Sequence, residues 1–207
     1  MHYEILDENR QKLLPLFDMF YDSFYLAGGT ALALQINHRE SIDFDFFSPS
    51  EFSTKELFDK IQINFFGHTI RKIQDEKNTL SVVIDSVKVS FLTYQYPLAE
   101  SLLNETHFRV ASVLDIGCMK LSAITSRSVL KDFVDLYFIL KQYSLSTLLA
   151  TIEKVTPALD HAIVLKSLIY FDDVTIEPIL FTKESEVNFD VIKEYLLSRV
   201  KEYIKAG

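Results

Sequence analysis

The sequence predicts an α+β protein, in which an N-terminal mixed sheet with flanking helices is followed by a C-terminal helical bundle. Up to about residue 105, short strand-like apolar segments alternate with helical patterns, and beyond that point only helical patterns recur. Hydrophobic residues make up 48% of the 207 positions, which is enough for a substantial core. We therefore predict an α/β domain over 1–105 and a helical domain over 106–207 that packs against it, with a soft boundary because no linker separates them.

The N-terminal part begins with a helix and continues with short buried strands. Apolar residues at helical spacing predict the first helix, and they are Leu13, Leu16, Phe17, Phe20 and Phe24. The elements predicted up to residue 71 are a strand over 24–27, a helix over 30–36, a strand over 42–47, a helix from the Ser53–Glu56 capping box to about residue 63, and a strand over 65–71.

The stretch 80–92 has the pattern of a β-hairpin. Its strands cover 80–84 and 87–92, and Asp85-Ser86 forms a two-residue turn. The turn contains no glycine, so its signal is weaker than that of an Asn-Gly turn.

The C-terminal part is predicted to be helical throughout. Ser112 and Asp115 form a capping box that opens one helix. The apolar stripe of the next helix consists of Phe133, Leu136, Tyr137 and Leu140. Further helices are predicted around 145–154, 158–170 and 189–204.

Composition limits the function classes. The net charge of -8 argues against a broad nucleic-acid footprint, although a local basic site stays open. The single cysteine, Cys118, rules out an internal disulfide and fits a reducing compartment. No signal pattern and no membrane-length apolar stretch is present, so we predict a cytoplasmic protein without membrane contact.

The most informative motif joins a glycine pair to two nearby aspartates. Gly28, Gly29 and Thr30 leave an apolar segment and open a helix, so bare backbone amides and a helix N-terminus can meet a phosphate. Asp43 and Asp45 lie roughly 6–7 Å apart on one face of a strand, where two carboxylates suit Mg²⁺. In this interpretation Ile42, Phe44 and Phe46 point the other way, into the core. The alternative is an ordinary tight turn beside a solvent-facing strand edge.

Charged residues in the C-terminal half form a second candidate group. They are separated by seven, four and four positions and consist of Lys120, Arg127, Lys131 and Asp135. On a continuous helix they would share one face and could grip a triphosphate, although Ser126 and Ser128 would interrupt such a helix. The alternative is a solvated face with a Lys131–Asp135 ion pair.

Arg39 is a further candidate. It stands a few residues before the aspartate strand and could clamp a phosphate or brace an aspartate. The alternative is an ordinary exposed arginine.

Two stretches carry a resemblance to a known family. The first is 26–32 followed by 38–47, with Gly28-Gly29-Thr30 and Asp43-Phe44-Asp45, and the second is 119–124 with Arg127 and 131–137. Together they are similar to the nucleotidyltransferases of AbiEii/AbiGii-type toxins, which share the DNA-polymerase-beta-like nucleotidyltransferase fold. The resemblance covers roughly residues 10–142.

The resemblance implies Mg²⁺-dependent (or Mn²⁺-dependent) transfer of a nucleotide from a nucleoside triphosphate to an acceptor hydroxyl. Asp43 and Asp45 would hold the metal, and Lys120 would reach the nucleotide phosphates. Asp132 or Asp135 would belong to the motif near the acceptor or nucleotide. The remaining nucleotide-binding candidates are Gly28, Gly29, Thr30, Arg39, Arg127 and Lys131. The implied partners are a nucleoside triphosphate, an acceptor that includes RNA among the alternatives, and an antitoxin protein.

One position departs from the pattern of the wider fold. A third carboxylate usually stands on a later central strand, and by pattern that place falls on Ser90. A serine neither brings a full charge to Mg²⁺ nor takes a proton from an acceptor. Asp85 is five residues away, and Asp132 or Asp135 could supply the base instead. Two alternatives therefore stay open: a degenerate member that binds nucleotide or a partner without transfer, and a related phosphotransferase.

Overall fold

The computed structural model of the chain describes residues 1–206 and has the predicted α+β class. The helices are α1 (Glu8–Leu13), α2 (Gly28–Ile36), α3 (Thr54–Asn64), α4 (Val113–Ala123), α5 (Leu130–Ile139), α6 (Leu145–Val155), α7 (His161–Leu168) and α8 (Phe189–Ala206). The strands are β1 (Tyr25–Ala27), β2 (Phe44–Ser48), β3 (Ile70–Glu76), β4 (Thr79–Ile84), β5 (Val87–Thr93), β6 (Leu103–Asn104) and β7 (Arg109–Val110).

The chain divides into two compact units. Unit 1 contains Met1–Ile36, Ser41–Pro97 and Ser101–Ala111, and it holds the whole sheet. Unit 2 contains Asn37–Glu40, Leu98–Glu100 and the helical region from Ser112 onward. The short segment Asn37–Glu40 therefore belongs to the helical unit, although both of its neighbours in sequence belong to the sheet unit.

The sheet of unit 1 is mixed and has the strand order β3-β4-β5-β2-β1-β7-β6. The aspartate-bearing strand β2 lies inside the sheet, antiparallel to β1 and parallel to β5. Along β2, buried Phe44 and Phe46 alternate with the more exposed Asp45 and Phe47. This alternation presents Asp45 on the face opposite to the core.

Phenylalanine rings form the core against the inner face of β2 and β5. Phe46 and Phe91 are neighbours in the strand pairing, and their rings stack with centroids 5.6 Å apart. Phe17 and Phe20 cover them edge-on, with centroid distances of 5.0 Å from Phe17 to Phe46 and 4.7 Å from Phe20 to Phe91. Large rigid rings in contact on one face fix the position of β2 in the sheet.

The predicted hairpin is confirmed. β4 and β5 pair antiparallel up to Ile84 and Val87, so Asp85 and Ser86 form the two-residue turn. Both residues have positive φ, 46° and 74°, as a type I′ turn requires. The Asp85 carboxylate accepts a hydrogen bond from the backbone N–H of Thr69, which anchors the turn without a glycine.

Three predictions for the N-terminal part were wrong in detail. The first helix ends at Leu13 and continues as a 3-10 helix over Leu14–Phe20, because Pro15 lacks the N–H that an α-helix needs. Phe65 is not in a strand: its N–H bonds to the carbonyl of Ile61 at the end of α3, and β3 begins only at Ile70.

Ile42 also differs from its prediction, because its side chain is 53% exposed rather than in the core. The strand begins after it, at Phe44, since the Ile42 carbonyl accepts from Arg10 Nε and the Asp43 carbonyl accepts from the Thr30 hydroxyl. Side chains therefore occupy acceptors that a longer strand would have used in its ladder.

The helices of unit 2 start where their caps predict. Ser112 Oγ accepts from the Asp115 N–H at the start of α4, and the apolar stripe of α5 is buried. The interruption expected at Ser126 and Ser128 is confirmed, so Lys120 and Asp135 do not lie on one continuous helix. Thr125 and Ser126 donate their hydroxyls to the carbonyls of Ser122 and Ala123, which ends α4, and α5 starts only at Leu130.

Within residues 1–206, none of the helices is both long enough and apolar enough to span a membrane.

Candidate active site

The glycine bend of unit 1 packs directly against one of the two aspartates. β1 ends at Ala27, and Gly28 opens α2 with φ of 73°, a conformation that favours glycine. A Cβ placed on Gly28 would lie 3.2 Å from Asp45 Oδ2. The absence of a side chain at Gly28 thus lets the start of a helix come close to a carboxylate.

Thr30 connects the same helix to the other aspartate. Its side chain is buried, and its hydroxyl hydrogen-bonds to the backbone carbonyl of Asp43 and lies 2.8 Å from Ser41 Oγ. Thr30 therefore fixes the backbone just before β2, and its hydroxyl is engaged with protein groups.

Two residues of β5, Ser90 and Lys88, are the neighbours of Asp45 and Asp43. Ser90 is the register partner of Asp45 in the parallel pair, and its buried hydroxyl lies 3.2 Å from Ser81 Oγ. Lys88, two residues earlier on β5, places Nζ 3.9 Å from Asp43 Oδ2. Lys88 was missed in the sequence analysis, although its position two residues before Ser90 assigns it to the same face of the strand.

In unit 2, the carboxylate of Asp135 is fully buried and accepts hydrogen bonds from three basic side chains. Arg39 binds both oxygens, with Nε 2.8 Å from Oδ1 and Nη2 3.0 Å from Oδ2. Lys120 Nζ lies 2.6 Å from Oδ2, and His38 Nε2 lies 2.7 Å from Oδ1. Arg39 is thus a buried brace for a carboxylate and not an exposed arginine.

Lys120 forms ion pairs with both Asp132 and Asp135. Lys120 Nζ is 2.6 Å from Asp132 Oδ1, and Arg127 Nε is 2.8 Å from Asp132 Oδ2. The alternative ion pair between Lys131 and Asp135 was wrong, because Lys131 pairs with Glu177 at 2.8 Å. Since α4 and α5 are separate helices, these contacts join one helix to another instead of running along one face.

Electrostatics keep this buried cluster ionised. Burial would raise the pKa of Asp135, but Arg39 and Lys120 outweigh it and hold that pKa well below its ordinary value. Burial would lower the pKa of Lys120, but Asp135 and Asp132 outweigh it and hold that pKa above its ordinary value. Burial lowers the pKa of His38 despite its bond to Asp135, so the imidazole stays neutral and Nε2 is its donor.

The cluster carries a net charge of one positive: Arg39, Lys120 and Arg127 contribute three cations, and Asp132 and Asp135 contribute two anions. The sequence did not indicate the contact of His38 with Asp135, because the two residues are 97 positions apart and no local pattern connects them.

Comparison with known proteins decides the family. The sequence profile described as "Nucleotidyl transferase AbiEii toxin, Type IV TA system" matches residues 17–199. The chain belongs to the AbiEii nucleotidyltransferase toxin family.

Relatives of this AbiEii-family chain include an uncharacterized protein, aq_aa25, of Aquifex aeolicus, which is 36% identical over 193 residues and 89% of each chain. Among solved structures, JHP933 from Helicobacter pylori has a TM-score of 0.60 at 18% identity, covering 97% of this chain and 94% of that one. MenT4, a nucleotidyltransferase toxin from Mycobacterium tuberculosis, has a TM-score of 0.62 at 16% identity, covering 93% and 80%. At these identities the two structures show a shared fold.

The candidate residues of this AbiEii-family chain thus fall into two groups, one in each unit. The group in unit 1 consists of Gly28, Gly29, Thr30, Asp43 and Asp45. The group in unit 2 consists of Arg39, Lys120, Arg127, Lys131, Asp132 and Asp135. Within unit 2 the structure brings Arg39, Lys120, Arg127 and both aspartates together and leaves Lys131 with Glu177.

The residues that fit a divalent cation are Asp43 and Asp45. Across residues 1–206 no group of three or more acidic, His or Cys side chains is arranged to hold a metal. Mg²⁺ commonly binds proteins through one or two carboxylates and completes its shell with water and substrate oxygens. Two carboxylates are therefore the number of protein ligands that one such ion accepts when a substrate phosphate and water complete its shell.

Proposed function

We propose that this AbiEii-family protein transfers a nucleotide from a nucleoside triphosphate to an acceptor hydroxyl, with Mg²⁺ or Mn²⁺ bound by Asp43 and Asp45. The observation that carries the proposal is the contact of the Gly28 bend with the Asp45 carboxylate. It supports a place where a cation held by carboxylates and a phosphate held by backbone amides are neighbours.

In this reaction the acceptor oxygen attacks the α-phosphorus, and the bond from that phosphorus to the bridging oxygen of the β-phosphate breaks. Pyrophosphate leaves, and the hydroxyl proton passes to solvent. A cation held by Asp43 and Asp45 would supply Lewis-acid polarisation of the phosphoryl oxygens. Gly28 and Gly29 bring backbone N–H groups and the positive end of α2 to the phosphates. Thr30 holds the backbone of Asp43 in place.

We assign the charged cluster of unit 2 a binding and positioning role. The family resemblance assigns Lys120 of this cluster to the phosphates of the nucleoside triphosphate, and Asp132 and Asp135 keep its ammonium protonated. An ammonium has three N–H donors, and the two carboxylates account for two of them. Asp135 is a poor candidate for the general base, since a carboxylate with a strongly lowered pKa has little affinity for a proton.

The proposed acceptor is RNA, with tRNA the first substrate to test, and a protein acceptor is the alternative. The net charge of -8 favours a short strand end over a long duplex. Membership of a toxin family leads us to propose an antitoxin partner. Because the proposed reaction consumes nucleoside triphosphates, we also propose that the protein acts in the cytoplasm.

The test is transfer of label from each of the four α-³²P nucleoside triphosphates to total RNA or to cell extract, with Mg²⁺ or Mn²⁺. We expect label to appear in one acceptor, with release of pyrophosphate. Asp43→Asn and Asp45→Asn should abolish it, and Asp59→Asn, an exposed aspartate on α3, should not. No label transfer with any triphosphate and acceptor, or transfer that persists in Asp43→Asn, would contradict the proposal.

Ser90 supports a second candidate, a degenerate member that binds a nucleotide without transferring it. The register partner of Asp45 carries no charge, so the metal site lacks a third carboxylate. Calorimetry with a triphosphate and Mg²⁺ separates the two functions, because binding without turnover supports the degenerate member. A diphosphate product in place of pyrophosphate would instead identify a phosphotransferase.

A further inference from the structure

A separate pocket of about 650 Å³ lies entirely within unit 2. Its walls come from the loop between α4 and α5, from α7, and from the segment that follows α7. A volume of this size is in the range of small-molecule sites and exceeds what a single nucleotide requires. No residue of the proposed metal pair contributes to it.

Two basic side chains line the pocket. Arg127 binds Asp132 through Nε and Nη2, which fixes the guanidinium plane, and its side chain is still 58% exposed. Lys166, on α7, is exposed and makes no ion pair with any residue in the described part of the chain. One acidic residue, Asp173, also lines the pocket. Lys166 is thus a cation of the pocket without an acidic partner, and a phosphate is a group that it could bind.

The remaining lining residues offer an apolar face and hydroxyl groups. Tyr170 is 46% exposed and Ile163 is 51% exposed, and both side chains line the pocket. An exposed aromatic ring near two cations is the arrangement on which nucleic-acid bases stack. Ser128 lines the pocket too, and its buried Oγ has no hydrogen-bond partner within residues 1–206.

We propose that this pocket binds a nucleotide unit, with the base on Tyr170 and the phosphate between Arg127 and Lys166. The unit is either a free nucleoside monophosphate or one residue of single-stranded RNA, since both present the same base and phosphate. The proposal concerns unit 2 alone and does not depend on the transfer reaction proposed above.

The experiment measures binding of AMP and of a fluorescein-labelled hexa-adenylate to the full-length protein in EDTA, so that metal-dependent binding at Asp43 and Asp45 does not contribute. We expect both probes to bind, and we expect Lys166→Ala and Tyr170→Ala each to weaken binding by roughly tenfold. Tyr170→Phe should bind as the wild type does, because the ring is retained. Lys154→Ala, an exposed lysine on α6 that does not line the pocket, is the matched control and should have no effect.

Adenosine and ribose 5-phosphate, which each lack one half of the ligand, should bind at least tenfold more weakly than AMP. Tighter binding of the hexa-adenylate than of AMP would identify RNA as the source of the unit, and the reverse order would identify a free nucleotide. Undetectable binding of both probes, or binding that is unchanged in Lys166→Ala and Tyr170→Ala, would overturn the proposal. Asp43→Asn must leave this binding intact, so a failure of the transfer reaction is distinguishable from a failure of the pocket.

Discussion

Ser90 is the direct neighbour of Asp45 across the parallel pair of β2 and β5. The two side chains lie on the same face of the sheet, and Lys88 on that face approaches Asp43. The proposed cation site in unit 1 thus has two carboxylates, one hydroxyl and one ammonium around it. We predict that its affinity for a divalent cation depends on the identity of residue 90.

Ser90→Asp should increase the affinity for Mn²⁺ by roughly tenfold, because a third carboxylate joins Asp43 and Asp45. Without metal the variant should lose about 1–2 kcal/mol of unfolding free energy, since three like charges then share one site. Mn²⁺ titration followed by electron paramagnetic resonance measures the first effect, and urea unfolding in EDTA measures the second. Ser90→Ala is the control for the lost hydroxyl. Equal Mn²⁺ affinity in the wild type and Ser90→Asp would show that residue 90 does not contribute to metal binding.

Gly28→Ala should lower both stability and metal affinity. The positive φ of Gly28 costs an alanine about 1–2 kcal/mol, and the added Cβ would press on Asp45 Oδ2 at 3.2 Å. Gly67→Ala is a matched control, because Gly67 also has positive φ but nothing lies within 4 Å of its Cβ position. Urea unfolding should give similar losses for the two variants, whereas Mn²⁺ binding should weaken in Gly28→Ala alone. Equal Mn²⁺ affinities would show that Gly28 does not constrain Asp45.

Asp135→Ala should destabilise the protein by about 3–5 kcal/mol. The substitution leaves Arg39 buried without its carboxylate partner and leaves Lys120 with Asp132 alone. Urea unfolding measures the loss. A second substitution, Arg39→Met, should restore part of the stability in the Asp135→Ala background, because it removes the cation that lost its carboxylate partner. Additive losses in the double variant would contradict the charge coupling.

Asp135 should also contribute to acid unfolding. Its folded-state pKa is held well below the ordinary value, so its contribution is complete above the unfolded pKa of about 3.9 and is lost as the pH falls below it. Urea unfolding between pH 5 and pH 2.5 should therefore show a steeper loss in the wild type than in Asp135→Asn. Asp59→Asn should keep the slope of the wild type. Parallel curves for the wild type and Asp135→Asn would assign acid unfolding to other carboxylates.

Ser86→Gly should stabilise the protein by about 0.5–1 kcal/mol. Ser86 adopts φ of 74° in the hairpin turn, where a glycine carries no steric penalty and the gain exceeds the added entropy of the unfolded chain. Thermal unfolding measures the change. Ser81 is unsuitable as a control serine, because it is buried within β4 and contacts Ser90. A lower unfolding temperature in Ser86→Gly would mean that the serine side chain supports the turn.

Much of the fold followed from local patterns. The capping boxes at Ser53 and Ser112 and the hairpin turn at Asp85-Ser86 are where the sequence predicts them. Each is decided by residues within a few positions of one another, so neighbouring side chains are sufficient evidence. The strand alternation around Asp45 is local in the same sense, and it assigned Phe44 and Phe46 to the core.

The contacts of the charged residues depended on tertiary structure. Spacing along the sequence predicted an ion pair between Lys131 and Asp135. In the folded chain, a turn separates α4 from α5, and Asp135 binds Arg39, Lys120 and His38 instead. Arg39 and His38 reach it because Asn37–Glu40 belongs to the helical unit.

The sequence by itself determined most of the helices and strands, the caps, the pair of aspartates that follows the glycine bend, and the family resemblance, because these depend on short-range order along the chain. Only the tertiary structure decided which buried cation meets which carboxylate, since residues 97 positions apart, such as His38 and Asp135, are joined by packing and not by spacing.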